Sequence, residues 1–190
     1  MSTILTISGS PSPSARTGVL VSYVTDLLSE AGHDVRTLHV RRLPTLSLLT
    51  EDLNDPEIAG AVSSVLHADG IVVASPVYRA AYSGLVKALL DLLPKKALRG
   101  RAVLPLATGG SQGFLVAMDY ALNPLLATKG ADHVVRGEFV LDADIQPGLP
   151  GTIAPDSAVA VRAAADRFSS ALRDASYRRR RGGAALRPAV

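Results

Sequence analysis

Strand-like and helix-like segments alternate along this 190-residue chain, and that alternation constrains its fold more than any other feature. Residues 70–75, GIVVAS, form a continuous apolar run rich in β-branched side chains, as in a central strand of a parallel sheet. Hydrophobic periodicity predicts strands over 3–8, 34–40, 70–75, 101–108 and 133–141, and helices over 19–31, 56–67, 84–93, 114–129 and 156–177. This alternation predicts a parallel sheet covered by helices on both faces.

Five strands in this pattern suit an α/β, flavodoxin-like three-layer sandwich, with a five-stranded parallel sheet in the order 2-1-3-4-5. Pro105 falls within the fourth strand, where its missing N–H is awkward for a central position. Pro124 falls within the fourth helix, so we expect that helix to kink or break near Asn123. We predict a single domain over residues 1–177, followed by an Arg-rich, disordered tail over residues 178–190.

The loop between the first strand and the first helix is rich in hydroxyl side chains. The groups there that can donate to an anion are those of Ser8, Ser10, Ser12, Ser14, Arg16 and Thr17. Because N–H groups at a helix N-terminus point outward and the helix dipole favours negative charge, this loop suits a phosphate group. The alternative is a polar connection that only caps the helix. Neither GxGxxG nor GxxxxGK[ST] is present.

Two further loops follow the third and fourth strands, which neighbour the first strand in the order 2-1-3-4-5. Residues 75–84, SPVYRAAYSG, contain a rigid proline and an aromatic Tyr78 that can cover a ring. Residues 108–113, TGGSQG, let backbone N–H groups approach a planar ligand closely. Because the carboxyl ends of these strands flank the point where strand order reverses, we expect one shared pocket suited to FMN. The alternative is that Tyr78 and Tyr82 only pack, and that the glycines only form a turn.

Composition and charge argue against several other classes of protein. The net charge of +3 is modest and lies partly in the RRRR run at 178–181, and only 4% of residues are aromatic, so we expect no nucleic-acid partner. The chain has no cysteine, and its four histidines are scattered, so we predict no disulfide and no metal site. We find neither a signal peptide nor an apolar run of bilayer length, so we expect a cytoplasmic protein with no membrane partner.

Three segments resemble the NADPH-dependent FMN reductases. They are GSPSPSART, ASPVYRAAYSGLVKALLDLLP and LPLATGGSQGFLVAMDYALNPLL, and the resemblance extends over residues 1–141. Within that family the chain looks most similar to the reductases that supply alkanesulfonate monooxygenases. The resemblance implies reduction of FMN to FMNH2 by NADPH or NADH, with the reduced flavin passed to a flavin-dependent monooxygenase.

The resemblance also assigns residues to FMN in each of the three loops. These are Ser10, Arg16 and Thr17 at the phosphate, Pro76, Val77, Tyr78 and Arg79 along the ribityl chain and ring, and Thr108, Gly109, Gly110 and Ser111 at the ring edge. Ser8 joins this set as a further hydroxyl donor at the end of the first strand. Hydride transfer between nicotinamide and flavin needs two rings held together in a dry pocket, so we predict no catalytic side chain.

Tyr120 carries one further implication of the resemblance. In this subgroup a tyrosine inserted into the MDYAL segment widens the helix into a π-bulge at a subunit interface. The third and fourth predicted helices also carry apolar residues on more than one face, whereas a monomer would bury only one face of each. We therefore expect an oligomer, and the resemblance implies a homodimer or a homotetramer.

Two other functions remain open from the sequence. One is a flavodoxin-like electron carrier with no reductase activity of its own, although the basic balance of charge counts against it. The other is a quinone, azo or chromate reductase that keeps FMN tightly bound. Kinetics with added FMN would separate this second option from an FMN reductase, because only the reductase uses free FMN as a saturable substrate.

Overall fold

The computed structural model describes residues 1–12 and 14–184. Its principal strands and helices alternate as the sequence predicts. The longer elements are β1 (Thr3–Ser8), α1 (Arg16–Glu30), β2 (Asp34–His39), α2 (Thr45–Leu49), α3 (Pro56–His67), β3 (Gly70–Tyr78), β4 (Ala81–Tyr82), α4 (Gly84–Leu92), β5 (Ala102–Gly109), α5 (Asn123–Thr128), β6 (His133–Val134), β7 (Glu138–Leu141), β8 (Ile145–Gln146), β9 (Thr152–Ile153) and α6 (Pro155–Ala184). Short 3-10 turns lie at Val40–Arg42, Gln112–Leu115 and Asp142–Asp144.

The main sheet confirms the predicted order. Its strands run β2-β1-β3-β5, and β5 then pairs in parallel with both β6 and β7, which together form the fifth predicted strand. All of the pairings along this path are parallel. Consequently β1, β3 and β5 lie side by side, and the loops that follow them meet at one edge of the sheet.

The fifth predicted strand is divided, and the reason lies in Pro105 of the strand beside it. Val103 pairs with Val134 and Leu106 pairs with Glu138, so three residues on one side oppose two on the other. Pro105 has no N–H for a ladder bond, and a Cβ at Gly137 would collide with its carbonyl oxygen. The result is a bulge, and the proline is tolerated because the ladder is already interrupted there.

Two hydrophobic layers cover the sheet, which completes the three-layer sandwich. One layer contains α3 and α4 and packs on sheet residues such as Leu5 and Ile71. The other contains α1 and α6 and packs on residues such as Ile4 and Val72. Alternate strand residues therefore face opposite layers, which is why β3 is buried along almost its whole length and has no polar face.

Helix α3 begins as the sequence predicts. Pro56 occupies its first position, and the Asp55 side chain accepts hydrogen bonds from the N–H groups of Glu57 and Ile58, at 2.9 and 3.3 Å. Three short elements were not predicted. They are α2 within the connection 41–54, β4 directly after β3, and the β8–β9 hairpin within the segment 146–155.

The fourth predicted helix changes its hydrogen-bonding pattern along its length. A 3-10 turn at Gln112–Leu115 precedes a π-helix at Met118–Leu122, and α5 begins at Asn123, directly before Pro124. The backbone stays helical through Asn123, so the helix does not break there, and the irregular segment near Pro124 is the π-helix that ends at Leu122. Tyr120 lies within the π-helix and its side chain is 81% exposed.

Helix α4 does not offer the second apolar face that the sequence suggested. Val86, Leu89, Leu90 and Leu92 are all buried within the chain itself, because the helix packs against α2 and the Val40–Arg42 turn and shares a hydrophobic cluster with α3. The exposed apolar side chains around the π-helix are Leu115, Val116 and Tyr120. A subunit interface near these helices would therefore contain the exposed apolar residues around the π-helix rather than residues of α4.

The backbone of α6 continues to Ala184, whereas the sequence predicts a disordered tail from residue 178. The rest of that predicted tail, residues 185–190, lies outside the described part of the chain. None of the helices in the described residues combines the length and the apolar character needed to cross a bilayer.

Candidate functional site

The loop after β1 leaves the N-terminus of α1 open to a ligand. Ala15 precedes the helix and provides no side-chain cap, and the first turn contains no acidic residue. Gly18 and Val19 donate their N–H groups to the carbonyl oxygen of Ala15, so among the described residues it is Arg16 and Thr17 whose N–H groups keep their capacity for an external acceptor. The buried Ser10 side chain shapes the loop, because its hydroxyl donates to the carbonyl oxygen of Ser12 at 2.7 Å.

Two hydroxyl groups link the first turn of α1 to the end of β5, the fourth predicted strand. Thr17 Oγ1 and Thr108 Oγ1 are 2.6 Å apart, and both residues are buried. Ser8, at the end of β1, is also buried, and its hydroxyl has no hydrogen-bond partner among the described residues. A buried hydroxyl without a partner is costly, so its presence at this strand end favours an added ligand or an ordered water.

The loop after β3 is a tight hairpin. Val77 pairs with Tyr82 across it, and the two turn residues Arg79 and Ala80 both have positive φ, at 49° and 61°. This is the geometry of a two-residue turn that usually contains glycine or asparagine, so the backbone is strained here. The hairpin projects Tyr78 from the sheet edge with 55% of its side chain exposed.

The loop after β1 and the ends of β3 and β5 line one cleft of about 280 Å³. Its lining residues are Ser14, Ala15, Arg16, Thr17, Pro76, Val77, Tyr78, Thr108, Asp142 and Pro147. Arg16 crosses the mouth of the cleft, and its Nε donates to the carbonyl oxygen of Asp142 at 2.8 Å. That bond orients the guanidinium and leaves its two terminal nitrogens for an anion.

Half of the predicted FMN residues line this cleft, and the others lie around it. Ser8 and Ser10 are buried at the end of β1 and in the loop, while Arg79 is exposed at the hairpin tip. Gly109, Gly110 and Ser111 directly follow Thr108 but are not among the lining residues. Gly109 packs closely, since a Cβ there would lie 2.9 Å from the ring of Phe139.

Sequence analysis missed two lining residues, Asp142 and Pro147. Asp142 follows β7, which pairs with β5, so it ends at the same sheet edge as the three loops. Because the predicted order already placed the fifth strand beside the fourth, it could have indicated that the residue after the fifth strand lies at this edge. Pro147 gave no such signal, because the β8–β9 hairpin that carries it was not predicted.

Larger cavities lie elsewhere. One, of about 410 Å³, lies between α1 and the segment 148–153, and another, of about 580 Å³, lies between the π-helix and the bulge beside β7. A further one, of about 520 Å³, lies between β6 and α6. None of these gathers the hydroxyl groups and open helix N-terminus that follow the central strands. We therefore place the candidate site in the smaller cleft, where the loop after β1 meets the ends of β3 and β5.

A basic turn lies at the same sheet edge, directly after β2. His39 pairs with Ser8 of β1, and the Val40–Arg42 turn that follows carries Arg41 and Arg42. Arg41 Nη1 donates to His39 Nδ1 at 3.3 Å. Burial, together with the nearby charges of Arg41 and Arg42, lowers the pKa of His39 below its usual 6.5, so this imidazole is neutral at pH 7.

Comparison with known proteins now identifies the family. The model of the NADPH-dependent FMN reductase family matches residues 2–146 of this chain. The chain belongs to that family. The resemblance inferred from the three loop segments is thereby confirmed, and the cleft lies entirely within the matched residues except for Pro147.

The most similar proteins agree with this assignment. The chain is 41% identical over 142 residues to an FMN reductase (NADPH) from Pseudomonas putida, covering 75% of this chain and 72% of that protein. It is 40% identical over 144 residues to an FMN reductase (NADPH) from Escherichia coli, covering 75% and 74%. The crystal structure of an NADH:FMN oxidoreductase in its apo form superposes with a TM-score of 0.80, at 40% identity and 88% coverage of each chain.

The donors in the cleft fit FMN. An open helix N-terminus, the Arg16 guanidinium and the hydroxyl groups of Thr17 and Thr108 suit a dianionic phosphate. The exposed ring of Tyr78 lines the cleft and suits a planar, largely apolar ring, and the turn 109–111 directly follows the lining residue Thr108. The residues that are present therefore match both chemical halves of the ligand.

Proposed function

We propose that this chain is an NAD(P)H-dependent FMN reductase that reduces FMN to FMNH2 by hydride transfer. The observation that carries the proposal is that the loop after β1 and the ends of β3 and β5 line one cleft, with groups suited to FMN, in a member of this family. We further propose that the reduced flavin passes to a partner monooxygenase of the type that releases sulfur from sulfonates. A relative named an NADH-dependent FMN reductase, SfnF, from Pseudomonas putida is 34% identical over 128 residues.

The phosphate of FMN is assigned to the loop before α1. The N–H groups of the first turn, Thr17 and Arg16 provide donors there, and Ser10 holds the loop in shape through its bond to Ser12. The hydroxyl of Thr108 contacts that of Thr17 and so limits the directions in which the Thr17 side chain can point. Ser8 adds a buried hydroxyl that still lacks a partner.

The ribityl chain and the ring are assigned to the strip from Pro76 to Arg79 and to the turn from Thr108 to Ser111. A cleft of about 280 Å³ lies just below the usual size for enclosing a whole ligand, so part of the ring extends beyond it. Tyr78 covers one side of that ring and shields it from water. When bound, FMN supplies the hydride acceptor, and the protein supplies position and a dry surface.

Steady-state kinetics test whether FMN is a substrate. At fixed NADPH, the rate should rise and saturate with added FMN, and an anaerobic titration should bleach more than one equivalent of flavin per subunit. An enzyme that purifies with stoichiometric FMN, and whose rate ignores added FMN, would instead be a quinone, azo or chromate reductase with bound flavin. A protein that binds FMN but does not oxidise NADPH or NADH would be a flavodoxin-like carrier.

We also propose that the enzyme is a cytoplasmic homodimer or homotetramer. Leu115, Val116 and Tyr120 expose apolar surface around the π-helix, and a subunit packed there would cover it. Light scattering at micromolar concentration should give a mass two or four times 19.8 kDa. A monomer under those conditions would contradict this part of the proposal.

A further inference from the structure

The relatives differ in their nucleotide, since two are named for NADPH and a third, at similar identity, for NADH. The structure offers a basis for discrimination outside the FMN cleft. We propose that Arg41 and Arg42 bind the 2′-phosphate of NADPH and give this enzyme a preference for NADPH over NADH. The inference rests on the proposed FMN reductase function, because it concerns the nucleotide that supplies the hydride.

The two arginines occupy a rigid position. Val40 is fully buried and Leu43 nearly so, and the N–H of Leu43 donates to the carbonyl oxygen of Val40 at 3.1 Å. The turn between them packs against α4. The side chain of Arg41 is directed further by its bond to His39 Nδ1, so its guanidinium has less freedom to lose on binding, and the exposed Arg42 lies beside it on the same turn.

The positive charge of this turn is uncompensated. Among the described side chains, the ion pairs are Arg36 with Asp34 and Lys87 with Asp91, and neither Arg41 nor Arg42 takes part in one. Arg41 has only His39 as a hydrogen-bond partner, and that imidazole is neutral. Burial and the adjacent Arg42 lower the pKa of Arg41, which is the expected effect of like charges without a counter-ion.

The distribution of charge along the sheet edge decides the direction in which the dinucleotide extends. At one end, beyond β2, lie Arg41 and Arg42. At the other end, beyond β7, the turn Asp142–Asp144 carries two carboxylates and no basic residue. A nucleotide whose nicotinamide rests on the flavin near Tyr78 therefore has its phosphorylated end attracted toward β2.

The distance is compatible with that arrangement. Only β1 separates β2 from β3, so the ends of these two strands lie about 10 Å apart, given the usual spacing between strands. A dinucleotide with two riboses and a pyrophosphate between its rings can span that separation. Two arginines close together also match a dianionic phosphate, which guanidinium groups bind in a bidentate manner.

The test compares the Arg41→Ala/Arg42→Ala double variant with the parent enzyme for both nucleotides. We expect KM for NADPH to rise about tenfold or more, because charge-assisted contacts are lost, while KM for NADH stays within about twofold. The KM for FMN should not change. The matched control is Arg36→Ala/Arg99→Ala, which removes the same charge from exposed positions away from the site edge and should alter neither KM.

A binding measurement that needs no turnover accompanies the kinetics. By calorimetry, the parent should bind adenosine 2′,5′-bisphosphate more tightly than adenosine 5′-phosphate, and the double variant should lose that difference. Equal rises in KM for NADPH and NADH, or no change in either, would overturn the inference. If the parent reduces no flavin, the proposed function fails, and the calorimetric difference still decides the 2′-phosphate site by itself.

Discussion

Replacing Arg16 with alanine tests the FMN phosphate site most directly. The structure shows its Nε committed to the carbonyl oxygen of Asp142 at 2.8 Å, which leaves the two terminal nitrogens for the phosphate. A hydrogen bond to a charged group contributes about 1.5–3 kcal/mol. Because Arg16 is exposed, solvent screening places the loss near the lower end, about 1.5 kcal/mol, which corresponds to a roughly tenfold increase in the Kd for FMN.

The assay is a titration of FMN fluorescence at low and moderate salt. Arg16→Lys keeps the charge but cannot contact both Asp142 and the phosphate with separate nitrogens, so its Kd should lie between those of the parent and Arg16→Ala. Arg36→Ala is the control for loss of one exposed positive charge. The reasoning is refuted if Arg16→Ala changes Kd by less than about twofold, or no more than Arg36→Ala does.

Three further predictions concern the fold and the π-helix. Gly137→Ala should lower the free energy of unfolding in urea by about 2–3 kcal/mol because its Cβ meets the carbonyl oxygen of Pro105, whereas Gly60→Ala, with open space in α3, should raise it by up to about 1 kcal/mol. Deleting Tyr120 should restore a regular helix, tighten FMN binding and slow turnover of free FMN; a variant that purifies without flavin and keeps the parental rate would contradict this. Burial lowers the pKa of His33, so the unfolded state binds the proton more readily, and stability should fall as the pH drops below 6.5; His33→Gln should flatten that dependence in pH-dependent melts.

Hydrophobic periodicity predicted the alternation of elements and a parallel sheet, and the flavodoxin-like pattern that suits five such strands supplied their order. The continuous apolar run in β3 and the capping pair Asp55 and Pro56 are local signals. Each depends on neighbouring residues in the sequence and can be recognised without knowing the tertiary structure. The same kind of reasoning indicated that loops after β1, β3 and β5 would share one edge. Six of the predicted FMN residues do line one cleft there.

Tertiary packing decided what those local signals could not. Whether Pro105 would end its strand depended on a neighbour thirty-two residues away, Gly137, whose bulge removes the ladder bond that the proline cannot make. The exposure of α4 depended on which other elements pack against it. Counting the apolar residues on each face of the helix therefore overestimated the apolar surface that it leaves exposed. Asp142 and the basic turn of Arg41 and Arg42 reached the site edge only because β7 and β2 end beside it. The period of a strand or a helix can be read from a short window of sequence, but contacts between distant segments cannot. The sequence therefore predicted the elements, and the tertiary structure determined which residues border the site.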